Sequence, residues 1–519
     1  MAVVPVVGNV KVDYAMCPFS DPGVSASLQP QGVRNADLVL YVSANSNSCS
    51  QSNNKVLASA YSCQWDQFER PIAGTMDFCL NAIELDADHP VVTGLSSNTL
   101  SHKDEEALQL AVGTSVHELA HVLGFTSSDM LYYYDSKTGV PRTPNPKMKD
   151  VSCINGVKKQ MWTPDDSTLT EKYNRVRTYE VTTPTVRQIA RNQFNCQRLS
   201  GAALENQPTN DDCFGSHWDE RYFFTERMSA AQHGVPQILS SLTLGLLLDS
   251  GWYKPDFSVA KNSPFGYGAG CQFIEEPCIV DGEVPPYSVD SFCNVTYSVE
   301  SGIFEGKFGC DATHRSMAIC DLVDYATLSN DKTPPSPEFQ YYPGQSTYGS
   351  LEGLVDYCPT YSIRAVSCQE VPDQLEKFLL PQLDYFATAA ESSDRNSMCF
   401  NTDKARPICL EAECDEANYV LNVKVGGQEF VCDSVGQTHL VPGTDTTFEC
   451  PNILQVCPDM ACTANCAGHG ICDFSSRKCE CFNEEDSTLG CFNSFSNVPP
   501  VTRSQNQSSS YRIHSNYLT

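Results

Sequence analysis

Long apolar runs are missing from this chain. No segment approaches the ~18 consecutive apolar residues that a membrane-spanning helix needs. The richest stretch, "ILSSLTLGLLL" from Ile238 to Leu248, has the length of a buried core element. Basic residues are scarce too: 34 Lys and Arg stand against 63 Asp and Glu, a formal charge of −29. Such a surface repels phosphate and argues against nucleic acid as a partner. Neither GxSxG nor a P-loop occurs, and the glycine-rich "GYGAGC" from Gly266 to Cys271 follows no strand–helix pattern, so it reads as a turn. There is no long internal repeat. The opening "MAVVPVVGNVKV" has no basic residue ahead of its short apolar run, and the closing "RSQNQSSSYRIHSNYLT" has no hydrophobic tail. With neither a leader nor a lipid-anchor signal visible, the expectation is a processed or truncated form of an exported precursor.

What is abundant is cysteine. There are 26 in 519 residues, an even number, without the dense CxxC pairs of a thiolate metal array. That usage points to an oxidising compartment, extracellular or at the cell surface, and to a disulfide framework. Two N-x-S/T sequons, at Asn294 and Asn506, are glycosylation candidates in such a setting. Seven cysteines precede His217, so at least one of them must pair further along the chain or remain free.

The length suits two to four domains. Short β-forming runs, "ADLVLYVSA" (Ala36–Ala44) and "MDFCLNAIEL" (Met76–Leu85), read as strands. A helix follows, with Ser101 as N-cap and Asp104, Glu105 and Glu106 in its first turn. Leu108, Val112, Val116 and Leu119 recur at helical spacing and are expected to face the core. Gly124 is placed to end the helix as a left-handed C′ residue. From 129 to about 210 turn residues dominate, and the stretch reads as an insertion with little core of its own, stapled by Cys153 and Cys196. A second helix is expected in "PQILSSLTLGLLLDSGW", between Pro236 and Gly251. Beyond about 266 the chain becomes loop-rich and dense in cysteine, and after Cys491 it is polar and expected to be disordered.

The chemistry concentrates in "VGTSVHELAHVLGFTSS". His117 and His121 are four residues apart, so a helix puts both imidazoles on one face, within reach of one ion. Glu118, beside the first, is placed to act as general base toward a metal-bound water. A catalytic zinc needs a third protein ligand. In the compact form of the motif that would be a histidine three residues after Gly124, but the position is Ser127. Of the ten histidines, His89 and His102 read as surface residues, His314, His439 and His514 lie in cysteine-rich or polar terminal segments, and His469 belongs to the last cysteine cluster. His217 and His233 are left.

"HELAHVLGF", then a long insertion, then "GSHW" and "ERMSA" with Met228 eleven residues after His217, resembles the leishmanolysin family, metzincin zinc metalloproteases known from the surface of trypanosomatids and their relatives. "NADLVLYVSA", "LLLDSGWYKPDFS" and "GAGCQFIEEPC" extend the resemblance over roughly residues 30 to 450. It implies a zinc ion held by His117, His121 and His217, with Glu118 as general base and Gly124 and Met228 as structural support. It also implies an α+β fold: a metzincin-type catalytic domain, with a twisted sheet and the active-site helix in residues 1–128, and with the insertion, third ligand, methionine turn and C-terminal helix in 129–265. A disulfide-rich, mostly β and loop domain would follow in 266–456. "CTANCAGHGICDFSSRKCECFNEEDSTLGC" resembles an EGF-like module (457–491), which implies the pairs Cys462–Cys472, Cys466–Cys479 and Cys481–Cys491, ahead of a tail at 492–519. The expected function is zinc metalloendopeptidase, acting on protein or peptide substrates that pair with an edge strand, for which Met76–Leu85 is the candidate. The alternative is an adhesion or host-interaction glycoprotein whose C-terminal modules bind cell-surface or matrix proteins.

Overall fold

The computed structural model of the chain describes residues 2–3, 36–44, 56–79, 102–209, 211–231, 237–296, 298–300, 303–305, 308–328, 332–369, 391–392, 396–404 and 406–495. Ser101, the Met76–Leu85 stretch beyond Cys79, His233, Pro236 and Asn506 lie outside them. The architecture is mixed α/β with many disulfides. Three strands, β1 (Val39–Ala44), β2 (Ala58–Trp65) and β3 (Pro71–Phe78), form a sheet in the order β1-β3-β2. β3 is parallel to β1 and antiparallel to β2, so Thr75 faces Tyr41 on one side and Tyr61 on the other. Of the stretch expected at an edge, the described part, Met76–Phe78, therefore lies in the centre of the sheet. Both of its hydrogen-bonding sides are taken, and no substrate backbone can add to it.

Helix α1 (His102–Val122) lies on this sheet. Gly74 of β3 lets it come close: a Cβ there would stand 2.4 Å from Val122 Cγ1. The buried stripe of α1 is not the one expected from its aliphatic residues. Leu108 is 38% and Val112 55% exposed, whereas Thr114, Glu118, His121 and Val122 are buried. These four positions are spaced i, i+4, i+7 and i+8, a single helix face. The inward face therefore carries Glu118 and His121 of the HExxH motif, with Leu119 packed partly buried against the core and Leu108 and Val112 turned to solvent.

Residues 129–210 do not hang off the molecule as an insertion without a core. Strands β4 (Lys147–Ser152), β5 (Lys158–Thr163), β6 (Leu169–Tyr173), β7 (Arg177–Val181) and β8 (Ala202–Leu204), with helix α2 (Pro184–Gln193), send Val151, Met161, Leu169, Tyr179, Val181, Ile189 and Phe194 into the main apolar core. Cys153 and Cys196 bind this stretch outward, to Cys213 and Cys271, rather than to each other. Cys196 is thus the cysteine before His217 that pairs downstream of it. After a single helical turn, α3 (Glu220–Phe223), comes α4 (Ser241–Asp249), whose nine residues are all buried. It starts at Ser241, because Ser240 caps it by accepting from Leu242 N–H, and Gly251 follows its end at φ +76°. The Asp249 carboxylate closes the start of the neighbouring α2, accepting from the Thr185 and Val186 N–H groups and the Thr185 hydroxyl.

Packing does not change at residue 266. The main core runs on through Phe273, Cys278, Phe292 and Tyr341 to Cys358, and a separate core spans Met398–Met460 around the four-stranded antiparallel sheet of residues 397–432. The last cysteines pair as Cys462–Cys472, Cys466–Cys479 and Cys481–Cys491. This segment is docked on α2. Asn192 donates to Asn465 O and Gly470 O (2.8 and 2.9 Å) and accepts from Cys472 N–H (3.1 Å).

Candidate metal centre

The last turns of α1 bring His117 and His121 together, with Nε2 atoms 3.1 Å apart. The helix stops at Gly124, whose φ is +105°. A side chain here would be strained by that φ and would also meet Trp252, because a Cβ would lie 2.7 Å from the indole ring. Tyr133 Oη donates to the Gly124 carbonyl (2.8 Å) and holds the exit. The chain then passes Ser127, the position of the third histidine in the compact motif. Its backbone N–H donates to Ser216 Oγ at 3.1 Å. The residue that lacks a ligand is thereby tied to the one immediately before His217.

His217 is brought in by a tight pairing of two segments. Glu205 N–H donates to His217 O (2.9 Å), Gly215 N–H to Glu205 O (3.0 Å) and Asp219 N–H to Ala203 O (3.0 Å). His217 Nε2 ends 3.2 Å from His121 Nε2. On the other side, Trp218 N–H donates to Met228 O (2.9 Å), so the Met228 segment runs beside the one that carries His217, with Met228 fully buried. Beneath it Glu226 gathers the Ser240 and Thr243 hydroxyls and the Met228 N–H.

Each imidazole is anchored by its outer nitrogen. His117 Nδ1–H donates to Arg227 O (2.8 Å), His121 Nδ1–H to Phe125 O (2.8 Å) and His217 Nδ1–H to Glu205 Oε1 (2.7 Å). A carbonyl or carboxylate oxygen only accepts, so the proton of each neutral ring sits on Nδ1 and each Nε2 presents a bare lone pair to the centre. Three lone pairs converging at such distances repel one another unless a cation stands between them. Two Zn–N bonds of ~2.0–2.1 Å at a tetrahedral angle span about 3.3 Å. The donor set therefore fits a zinc ion.

The electrostatics agree for two of the three rings. Burial holds His117 down at about 4, with the His217 charge adding to the effect, and burial keeps His121 well below its ordinary value, so both rings stay neutral. His217 differs: burial lowers it, but Glu205, by charge and hydrogen bond, outweighs that and leaves it above the ordinary value. Glu118, 6% exposed, is pushed up to about 7 by burial, with His217 opposing. A divalent cation beside it favours the carboxylate.

Sequence reasoning missed the three acceptors behind the histidines. Arg227 and Phe125 contribute backbone carbonyls, which leave no mark in sequence. Glu205 stands twelve residues before His217, at a spacing that no local periodicity selects. Gly113 leaves room for the Arg227 guanidinium, since a Cβ there would stand 2.1 Å from its Nη1. Asn294 is part-buried, and its amide donates to Gly282 O and Glu283 Oε2.

Comparison with known proteins gives a consistent picture. A family model described as leishmanolysin matches residues 1–468. A leishmanolysin-like peptidase of Caenorhabditis briggsae is 27% identical over 458 residues, 81% of this chain and 62% of the relative. The leishmanolysin of Leishmania major is 26% identical over 443 residues, 82% of this chain and 60% of the relative. A ciliated left-right organizer metallopeptidase of Mus musculus is 30% identical over 313 residues, 59% of this chain and 37% of the relative. The chain spans about three fifths of the length of the first two.

Proposed function

This chain belongs to the leishmanolysin family, and from that premise we propose that it is a zinc-dependent endopeptidase that cuts peptide bonds within proteins. His117, His121 and His217 would hold the ion through Nε2. The observation that carries the reading is the convergence of three bare Nε2 atoms, each with its Nδ1 proton committed to an outer acceptor, beside the buried carboxylate of Glu118. Zinc bound by such ligands supplies Lewis-acid polarisation of a carbonyl and acidifies water.

The chain's own residues do the rest. Glu118 removes a proton from the water that attacks the scissile carbonyl carbon, then passes it to the departing amine nitrogen as the C–N bond breaks. Burial by itself raises its pKa, and a cation held beside it would draw the group back toward the carboxylate that the base step needs. The Nδ1 hydrogen bonds fix the tautomer and the orientation of all three rings. Buried Met228 supports the loop beside His217. With β3 in the centre of the sheet, an extended substrate would pair with β1 or β2.

We read residues 457–491 as an EGF-like module that is built into the core rather than tethered to it, since Asn192 joins it to α2. This favours the peptidase reading over an adhesion protein with independent binding modules. The disulfides fit an extracellular or surface location, and among the described residues no helix is long and apolar enough to cross a membrane.

Glu118→Gln tests the mechanism. It should keep one zinc per chain and lose nearly all casein hydrolysis; full activity would refute the role of Glu118. His217→Ala should lose tight zinc binding, and retention of one tightly held ion would remove His217 from the ligand set.

A further inference from the structure

We propose that Glu205 is a positioning residue for the metal centre, setting the orientation and the donor strength of His217. This rests on the reading of His217 as a ligand. Of the three outer nitrogens, two face neutral backbone carbonyls and only that of His217 faces a carboxylate. The difference has a structural reason. His117 and His121 ride on one helix, which sets their spacing by itself. His217 arrives from a loop 96 residues beyond His121.

The loop is wound around Glu205. Oε1 accepts from both His217 Nδ1–H (2.7 Å) and Ser216 N–H (2.9 Å), while the Glu205 main chain pairs with His217 O and Gly215 N–H. Gly215 makes the approach possible, since a Cβ there would stand 1.8 Å from Oε1. Both side chains are largely shielded from solvent, with relative exposures of 22% for His217 and 17% for Glu205. The contact thus has little competition from water. A carboxylate accepting from Nδ1–H pushes electron density toward Nε2 and makes the imidazole a better donor, and losing such a partner typically costs about 10- to 100-fold in metal affinity.

The test uses the full chain carrying Glu205→Gln. The amide keeps the size of the side chain and one acceptor oxygen but removes the charge. Zinc affinity is read by competition with a chromogenic chelator, and the ligand field is read from the visible absorption of the cobalt(II)-substituted protein. Zinc binding should weaken about 10- to 100-fold and the cobalt bands should shift, with the far-ultraviolet circular dichroism unchanged. Wild-type affinity in the folded variant overturns the proposal. So does weaker binding with unshifted cobalt bands, which would assign Glu205 to loop folding alone. If Glu205→Gln does not fold, Gly215→Ala is read the same way, because its Cβ displaces the carboxylate and keeps the charge. The His217→Ala protein separates this failure from that of the parent reading: wild-type zinc affinity there sinks the ligand set, whereas lost affinity there beside unchanged affinity in Glu205→Gln sinks only the role of Glu205.

Discussion

Replacing Gly124 by alanine tests how α1 is terminated and what that termination does for the proposed metal centre. Two costs add. The first is conformational: with φ at +105°, an L-residue loses about 1–2 kcal/mol to contacts between its Cβ and the backbone. The second is steric. The new methyl would lie 2.7 Å from Trp252 Cζ3, well inside the ~3.5–4.0 Å of favourable carbon–carbon contact. Trp252 has little freedom to yield: it is 4% exposed, its indole N–H donates to Phe68 O at 3.0 Å, and Tyr133 packs edge-on against it at 5.2 Å. Overpacking at such a site costs about 1–3 kcal/mol. The sum is about 2–5 kcal/mol. Gly156→Ala is the control, because Gly156 has φ +80° and a methyl added there would meet nothing within 4 Å, so it carries only the first cost. Both variants are unfolded in guanidinium beside the parent. Gly124→Ala should be the less stable by about 1–3 kcal/mol. It should also bind zinc more weakly, since a shifted exit moves the Phe125 carbonyl off His121 Nδ1. Equal stability of the two variants would refute the reasoning, because the Trp252 contact would then impose no constraint.

Two further predictions concern the scaffold. Asn192→Ala strips three buried backbone groups, Asn465 O, Gly470 O and Cys472 N–H, of their partner, and should destabilise the chain by about 3 kcal/mol or more; faster limited proteolysis within 457–491 is the readout, and an unchanged digestion pattern would show that the module is held elsewhere. Asp356, with Oδ1 buried and without a hydrogen-bond partner, is pushed up to about 7 by burial, against the pull of Arg221 and Arg175. A carboxyl raised on folding binds more protons in the native state than in the unfolded one, so its contribution is present below the ordinary carboxylate pKa and is lost as pH rises toward 7. Asp356→Asn, which tolerates the left-handed backbone at φ +54°, should flatten that fall in stability, and an unchanged slope between pH 4 and 7 would refute the assignment.

How much can be read without the fold depends on distance along the chain. The His117–Glu118–His121 constellation and the stop at Gly124 follow from helical spacing and from backbone sterics, both local. The same local reasoning fails for Leu108 and Val112, because spacing defines a face but not which face meets the sheet. It fails for Met76–Phe78, the described part of the expected edge strand, because β-propensity does not say whether a strand is central or at an edge. Cys153 and Cys196 are recognisable as staples, but their partners, Cys213 and Cys271, are not, since loop closure leaves many pairings open.

By itself, then, the sequence determined the chemistry on offer: a cysteine-rich chain suited to an oxidising compartment, with two histidines and a glutamate on one helical turn, and a family resemblance that singled out His217. Only the tertiary structure decided which atoms stand behind that chemistry. Arg227 O, Phe125 O and Glu205 Oε1 reach the three rings because distant segments are brought into hydrogen-bonding range, and the Ser127–Ser216 contact ties the position of the absent histidine to the loop that supplies the third. The physical reason is that helix periodicity is set by the covalent backbone, whereas a partner 110 residues away, as Arg227 is from His117, is selected only by packing.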